Sequence, residues 1–136
     1  MTALLKELAV IGLALLVTAG AVMGLRDRAV LVPPPEMVVE EFVREISLKR
    51  WEPARSHLAS PLALRVGPDS LRRLLEVVEQ WVGRVEEVRG RPFFATEVAA
   101  EARAEIRSTE GHRGTLSMPL LREHGLWKIS RLNAGS

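Results

Sequence analysis

The sequence contains no cysteine and no run of basic residues, although lysine and arginine together number 19. Without cysteine, neither a disulfide framework nor a lipid-modified cysteine anchor can form. The net charge is only +2, and basic and acidic residues are finely interspersed. Because a nucleic-acid-binding protein presents a patch or stripe of basic side chains to phosphates, we expect no nucleic-acid partner.

One long segment of the sequence has no charged residue. Residues 8–25, LAVIGLALLVTAGAVMGL, are bordered by charges on both sides. As a helix they would span roughly 27 Å at about 1.5 Å per residue, which is enough to cross the hydrocarbon core of a bilayer. We therefore predict a transmembrane anchor within residues 1–28. Gly20 and Gly24 have the G-x-x-x-G spacing that lets two such helices pack closely. The alternative, which we favour, is that glycine is simply frequent in membrane helices.

A cleavable signal peptide is the alternative for this segment, since Ala19-Gly20-Ala21 resembles an A-x-A cleavage site. The apolar run continues beyond that site to Leu25, which favours an uncleaved anchor. We expect a single-pass membrane protein whose domain lies outside the cytoplasm, or a secreted domain if the segment is cleaved.

The rest of the chain is predicted to form a linker over residues 29–34, a domain over 35–132 and a tail over 133–136. The prolines at 33–35 favour a stiff, extended spacer. Apolar residues at helical spacing predict a helix over about 35–46. Pro53, suited to a first turn, predicts a second over about 52–59, ended by Pro61. A third helix is predicted to open at 68–70, with Asp69 or Ser70 as its N-cap, and to end at Gly83, with Trp81 on its buried stripe.

From Arg84 onward the apolar period changes from 3.6 to 2, which is typical of strands. We predict strands over 84–88, with an extension to Phe94 beyond a break at 90–92, and over 97–107, 115–123 and 126–132. His124 and Gly125 form a two-residue turn between the last two strands. Helices followed by antiparallel strands predict an α+β fold, in which three helices pack on one face of three to four strands.

These segments resemble the nuclear-transport-factor-2-like, or cystatin-like, superfamily, in particular its small bacterial members that are membrane-anchored or secreted and of unknown function. The resemblance covers about residues 35–132, and its positions here are Val38, Val39, Phe42, Trp51, Ala54, Gly83, Val85, Val88, Gly125, Trp127, Lys128, Ile129 and Leu132. It implies a curved sheet wrapped around helices as a cone with a pocket. It also implies a range of roles, from isomerases and dehydratases to ligand binders and scaffold subunits of membrane assemblies such as type IV secretion.

The residues with catalytic side chains do not fit the enzymes of this superfamily, which use Asp, His or Tyr in the pocket. The sequence has no tyrosine, Asp27 borders the apolar segment, and Asp69 is placed to cap a helix. None of His57, His112 and His124 has a second ligand at metal-site spacing, and no phosphate- or dinucleotide-binding loop occurs. We predict no enzymatic activity, no cofactor and no metal.

The remaining candidate residues are apolar. Alanines predicted on one sheet face either let helices pack closely or leave space for an apolar ligand. The residues considered for a pocket or an interface are Trp51, Trp81, Phe93, Phe94, Ala100, Ala102, Ala104, Met118 and Trp127. We expect a membrane-anchored accessory or scaffold subunit that binds other protein subunits or itself. The alternative is a binder of a small apolar ligand inside the cone.

Overall fold

A computed structural model describes residues 32–132, in which four helices precede four strands. The elements are α1 Pro35–Ser47, α2 Trp51–Arg55, α3 Ser60–Arg65, α4 Pro68–Trp81, β1 Val85–Ala95, β2 Ala99–Ser108, β3 Arg113–Glu123 and β4 Leu126–Ile129. The predicted anchor with Gly20 and Gly24, and the tail at 133–136, lie outside the described residues. Within 32–132, no helix has the length and apolarity needed to cross a bilayer.

Helix α1 forms as its apolar spacing predicts. Pro35 lies in its first turn, where a missing N–H costs nothing because that group has no partner within the helix. The buried residues are Val38, Val39, Phe42, Val43 and Ile46. They form one stripe, and this stripe packs on the sheet.

The short helix predicted over 52–59 is present as α2, but it ends at Arg55, and a further helix that was not predicted, α3, begins at Ser60. Pro61 lies in the first turn of α3 and so begins a helix rather than ending one. The Arg55 guanidinium joins the two helices, donating hydrogen bonds to the carbonyls of Ala63 at 2.7 Å and Val66 at 2.8 Å.

Helix α4 has the predicted buried stripe at Leu71, Leu74, Leu75 and Val78, but Trp81 does not belong to it. Trp81 ends the helix with 54% of its surface exposed. The predicted side-chain cap is also wrong: the N-cap residue is Gly67, and the Asp69 carboxylate instead accepts a hydrogen bond from Arg72 at 2.6 Å.

The four strands form one antiparallel sheet in the order β1-β2-β3-β4, so each strand pairs with its neighbour in sequence. Strand β1 continues through residues 90–92, where we predicted a break, and a register shift occurs between Pro92 and Phe94. Val98 falls within the strand predicted over 97–107, but it lies in the β1–β2 turn and is 66% exposed.

The sheet has an inner face, which packs against the helices, and an outer face, which is exposed. Trp127 and Ile129 of β4 are buried on the inner face. The free edge of β4 is covered by the chain between α2 and α3: the Ile129 N–H donates to the His57 carbonyl, and the Ala59 N–H donates to the Ile129 carbonyl, both at 2.8 Å.

Candidate functional site

The inner face was the place where the sequence suggested a ligand pocket. Ala102 and Ala104 have no exposed surface, and Ala100 has 3%. A side chain that lined a cavity large enough for a water molecule would have some accessible surface. Ala102 and Ala104 have none, so no such cavity adjoins them. Met118 and Trp127 are buried in the same core, at 3% and 6% exposure. In this conformation the small residues are covered by the protein's own side chains.

Helix α1 approaches the sheet at Gly90, opposite Ala104 in the β1–β2 register. A Cβ atom on Gly90 would lie 2.0 Å from the backbone oxygen of Glu36, closer than any real contact. Glycine is therefore required here by the proximity of the helix backbone. The three alanines of β2 belong to the same closely packed region between α1 and the sheet.

A carboxylate from α1 satisfies a backbone donor on the edge of the sheet. The Gly90 N–H donates to Glu40 Oε1 at 2.8 Å, and Arg44 pairs with the same carboxylate. Because the charged form accepts the Gly90 hydrogen bond and faces Arg44, the pKa of Glu40 is lowered from its usual value of 4.5. This contact positions α1 on β1 and keeps Glu40 ionised, which is unsuitable for a general acid.

The interior of the described domain contains few polar or ionisable side chains. Ser108 is the one buried polar or charged residue among residues 32–132, and its Oγ accepts the backbone N–H of His112 at 3.1 Å. A carboxylic acid acquires a raised pKa for proton transfer mainly through burial. In the described range no carboxylate or histidine has that environment.

The histidine of the α2–α3 segment has an acidic neighbour that the sequence did not suggest. His57 Nε2 lies 3.0 Å from Glu45 Oε1, and a carboxylate oxygen of Glu41 completes a group whose ligand atoms lie within 4.8 Å of one another. Histidine and glutamate are ligand types for zinc. Glu41 is exposed, however, and the Glu45–His57 contact already has a structural role, since it joins this segment to α1.

The outer face of the sheet is charged and carries a groove of about 300 Å³ lined mainly by arginine and glutamate. Ion pairs cross the strands from Arg91 to Glu105 at 3.2 Å and from Arg107 to Glu87 at 3.0 Å. These side chains are about half exposed, and exposed pairs stabilise a fold only slightly. The groove is therefore part of a solvent-exposed surface that carries both positive and negative side chains.

One end of the sheet exposes apolar side chains, which we call the hairpin-end patch. It consists of Phe93, Phe94, Val98, Leu121 and Leu126, which are 42–66% exposed. The register shift after Pro92 places both phenylalanines toward the outer face, with their ring centroids 5.8 Å apart. The Arg103 guanidinium covers the Phe93 ring at 4.0 Å.

A second apolar surface lies at the opposite end of the sheet, which we call the α4 surface. Val77 and Trp81 are one helical turn apart and are 39% and 54% exposed. Gly114, at the start of β3, packs under the Trp81 ring, since a Cβ there would lie 3.5 Å from ring atoms of Trp81. Trp51, by contrast, is partly buried against the core.

The nine candidate residues are therefore not one site. Five belong to the core, Trp51 borders it, the two phenylalanines form part of the hairpin-end patch, and Trp81 belongs to the α4 surface. Sequence reasoning missed the contacts of Glu40 with Gly90 and of His57 with Glu45, because both connect elements that are distant in sequence. The isolated glycine at position 90, within a strand, was the one signal that could have suggested a close approach.

Comparison with known proteins gives one kind of match. No family model matches the sequence, and no curated protein is significantly similar to it. A solved structure is similar: that of a Campylobacter jejuni protein provisionally named an NTF2-like transpeptidase. The TM-score is 0.58 with 11% sequence identity, over 73% of this chain and 99% of the other.

The described domain therefore has the nuclear-transport-factor-2-like fold that the sequence motifs suggested. The fold has four helices with a curled four-stranded antiparallel sheet, one helix more than predicted. At 11% identity the likeness concerns the fold alone, since one fold supports many unrelated functions.

Proposed function

We propose that this protein is a non-enzymatic, membrane-anchored subunit whose domain binds other protein subunits. The main support is a contrast between two residues. Ala104, in the interior, is fully covered by the protein's own side chains, whereas Trp81, on the surface, is half exposed. Tryptophan is among the residues that contribute most to protein–protein binding. The uncharged segment at 8–25 supports membrane attachment. The location of the domain outside the cytoplasm is part of the proposal.

The proposal separates this protein from a transpeptidase, the activity in the provisional name of the similar structure. Transfer of an acyl group requires an activated nucleophile. The sequence has no cysteine, and within residues 32–132 no serine hydroxyl is hydrogen-bonded to a histidine ring. A binder of an apolar ligand remains the alternative, and it requires α1 to move away from Ala102 and Ala104.

Chemical cross-linking in native membranes, followed by purification in mild detergent, tests the proposal. We expect the protein to be recovered in a complex whose mass exceeds that of the monomer. Replacing Val77 and Trp81 with serine should abolish this complex, because the α4 surface would lose its apolar anchor. Leu64→Ser is the matched control, since Leu64 is 86% exposed on α3.

A monomer that cross-links to nothing would contradict subunit binding. A protein recovered only from the soluble fraction, without its first residues, would contradict anchoring. Thermal unfolding of each variant shows whether the domain remains folded, so that a lost complex is not mistaken for a lost fold.

A further inference from the structure

The hairpin-end patch lies at the end of the domain where the polypeptide enters it. Glu36 of α1 contacts Gly90, while Glu40, Arg44 and Ser47 lie along 85–89 of β1. Helix α1 therefore runs antiparallel to β1, and its N-terminal end points along the strand toward Phe93. The chain that precedes α1 enters the domain from that direction.

The two turns at this end of the sheet also carry exposed apolar side chains. Ala99 pairs with Leu121, so the β1–β2 turn and the β3–β4 turn lie at one end of the sheet. The Arg122 N–H donates to the Val98 carbonyl at 3.0 Å, which joins the two regions directly. Five of the ten exposed large apolar side chains of residues 32–132 are therefore gathered around these turns.

The sequence before the domain limits how far this end can be from a bilayer. Nine residues lie between Leu25, the last of the uncharged segment, and Pro35, and the ten steps from one to the other span at most about 35 Å when fully extended. If the segment is anchored, the patch is held close to lipid. A tethered surface needs only weak intrinsic affinity, because the tether keeps its effective concentration high.

The chemistry of the patch suits the interface of a lipid bilayer. Segments that insert into the headgroup region have phenylalanine and leucine on one side and cationic residues around them. The patch has the same composition. Cations near the patch are Arg91, Arg103, Arg122 and Lys128, and the carboxylates are Glu97, Glu101 and Glu123, a balance of 4 − 3 = +1. Insertion of apolar side chains, rather than attraction of anionic lipid, would therefore dominate.

We propose that the hairpin-end patch contacts the lipid surface and orients the domain on the membrane, leaving the α4 surface at the far end free to bind protein. This inference rests on the membrane anchoring in the proposed function. It assigns separate roles to the two apolar surfaces: lipid contact near the point of entry of the chain and protein contact away from it.

The absence of cysteine allows a direct test with the full chain. Val98→Cys and His112→Cys provide single labelling sites, at the patch and in the turn at the opposite end. Each variant is labelled with an environment-sensitive fluorophore and reconstituted into phosphatidylcholine vesicles. Nitroxide groups placed near the headgroup end or the tail end of the acyl chain serve as quenchers.

We expect a blue shift and quenching of the label at residue 98 but not of the label at 112. The nitroxide near the headgroups should quench more strongly, since interfacial segments reach only about 5–10 Å into the boundary region. Adding Phe93→Ser and Phe94→Ser to the Val98→Cys protein should remove the quenching. Replacing Leu48, which is 60% exposed at the other end of α1, with serine is the matched control and should leave it unchanged.

Three outcomes overturn the inference. Equal quenching at 98 and 112, or none at either, would show that the patch has no preference for lipid. A blue shift at 98 without lipid quenching would show that protein covers the patch, either a second copy or residues 8–25. Flotation of the vesicles reports anchoring separately, so a protein that does not float contradicts the proposed function, whereas one that floats without quenching contradicts only the lipid contact.

Discussion

Strand β2 has two faces whose residues alternate along the chain but have opposite requirements. The inner face consists of small and apolar side chains, and Ala104 on it has no exposed surface. The outer face alternates Glu101, Arg103, Glu105 and Arg107. The distance to α1 limits the size of the side chains at the inner positions. Side-chain size at the outer positions is hardly limited, since these positions border solvent.

The difference shows that side-chain size on the inner face carries information of its own. Period-2 alternation identifies which residues share a face, but three consecutive inner alanines also indicate how near the covering element lies. Gly90 of β1, opposite Ala104, gives the same indication more strongly. Substitutions at adjacent positions of one strand can test this comparison.

The largest effect is expected for Ala104→Leu, which should lower the free energy of unfolding by about 3 kcal/mol because it overpacks the contact with α1. Glu105→Leu, one residue along the strand, should change it by less than about 0.5 kcal/mol, since Glu105 is half exposed. Chemical denaturation of both variants gives the two values. Equal losses would contradict the assignment of inner and outer faces.

Gly90→Ala should be somewhat less costly, at about 2 kcal/mol, because one methyl group must displace the first turn of α1. The matched control is Arg91→Ala, on the outer face of the same strand, which loses only an exposed ion pair with Glu105. Thermal unfolding compares the two. If the alanine variant at 90 were as stable as the natural protein, α1 could not lie so close to β1.

A smaller effect is expected from protonation of Glu40, whose pKa is lowered in the folded domain by the Gly90 N–H and by Arg44. A lowered folded-state pKa contributes stability that is present above 4.5, the usual value, and is lost as the pH falls through the folded-state pKa. Because 29% of the side chain is exposed, the contribution should be less than about 1 kcal/mol.

Glu40→Gln tests this contribution, because its amide oxygen can still accept the Gly90 hydrogen bond but has no charge to lose. Denaturation at several pH values below neutral should show a weaker acid-dependent loss in the variant than in the natural protein. Some loss should remain, since Ser60 hydrogen bonds also lower the pKa of Glu123. Identical pH dependence in both proteins would contradict the role of Glu40.

The smallest effect concerns the cation over the Phe93 ring. Arg103→Gln should lower the free energy of unfolding by about 0.5 kcal/mol, a typical value for an exposed cation–π contact. A double-mutant cycle with Phe93→Leu isolates this pair from the other contacts of each residue. A coupling energy of zero would show that the contact between Arg103 and Phe93 contributes nothing to stability.

Much of the fold could be predicted from periodicity and turn chemistry. The apolar stripe of α1 and the strands with buried Leu116, Met118 and Leu120 were anticipated, and so was the turn at Gly125, where φ is +81°. These features depend on residues close in sequence. The motif residues around Trp127 then suggested the superfamily fold that the similar structure supports.

The errors arose where a residue suits two local structures or where its neighbours are distant in sequence. Pro61 could end one helix or lie in the first turn of the next, and the fold has the second arrangement. Trp81 matched the buried stripe of α4, but it is the last residue of the helix and half of its surface remains exposed. The hairpin-end patch could not be predicted because Phe93 and Leu121, which belong to different strands, come together only when the sheet forms.

The sequential order of the strands has a consequence for how the domain folds. All three strand pairings join neighbours in sequence, and such local contacts form quickly because only short loops must close. The contacts of Glu40 with Gly90 and of Leu58 with Ile129 instead close long stretches of chain. We expect the hairpins to form early and α1 to dock later, with the Leu58–Ile129 bridge unable to form until β4 has left the ribosome.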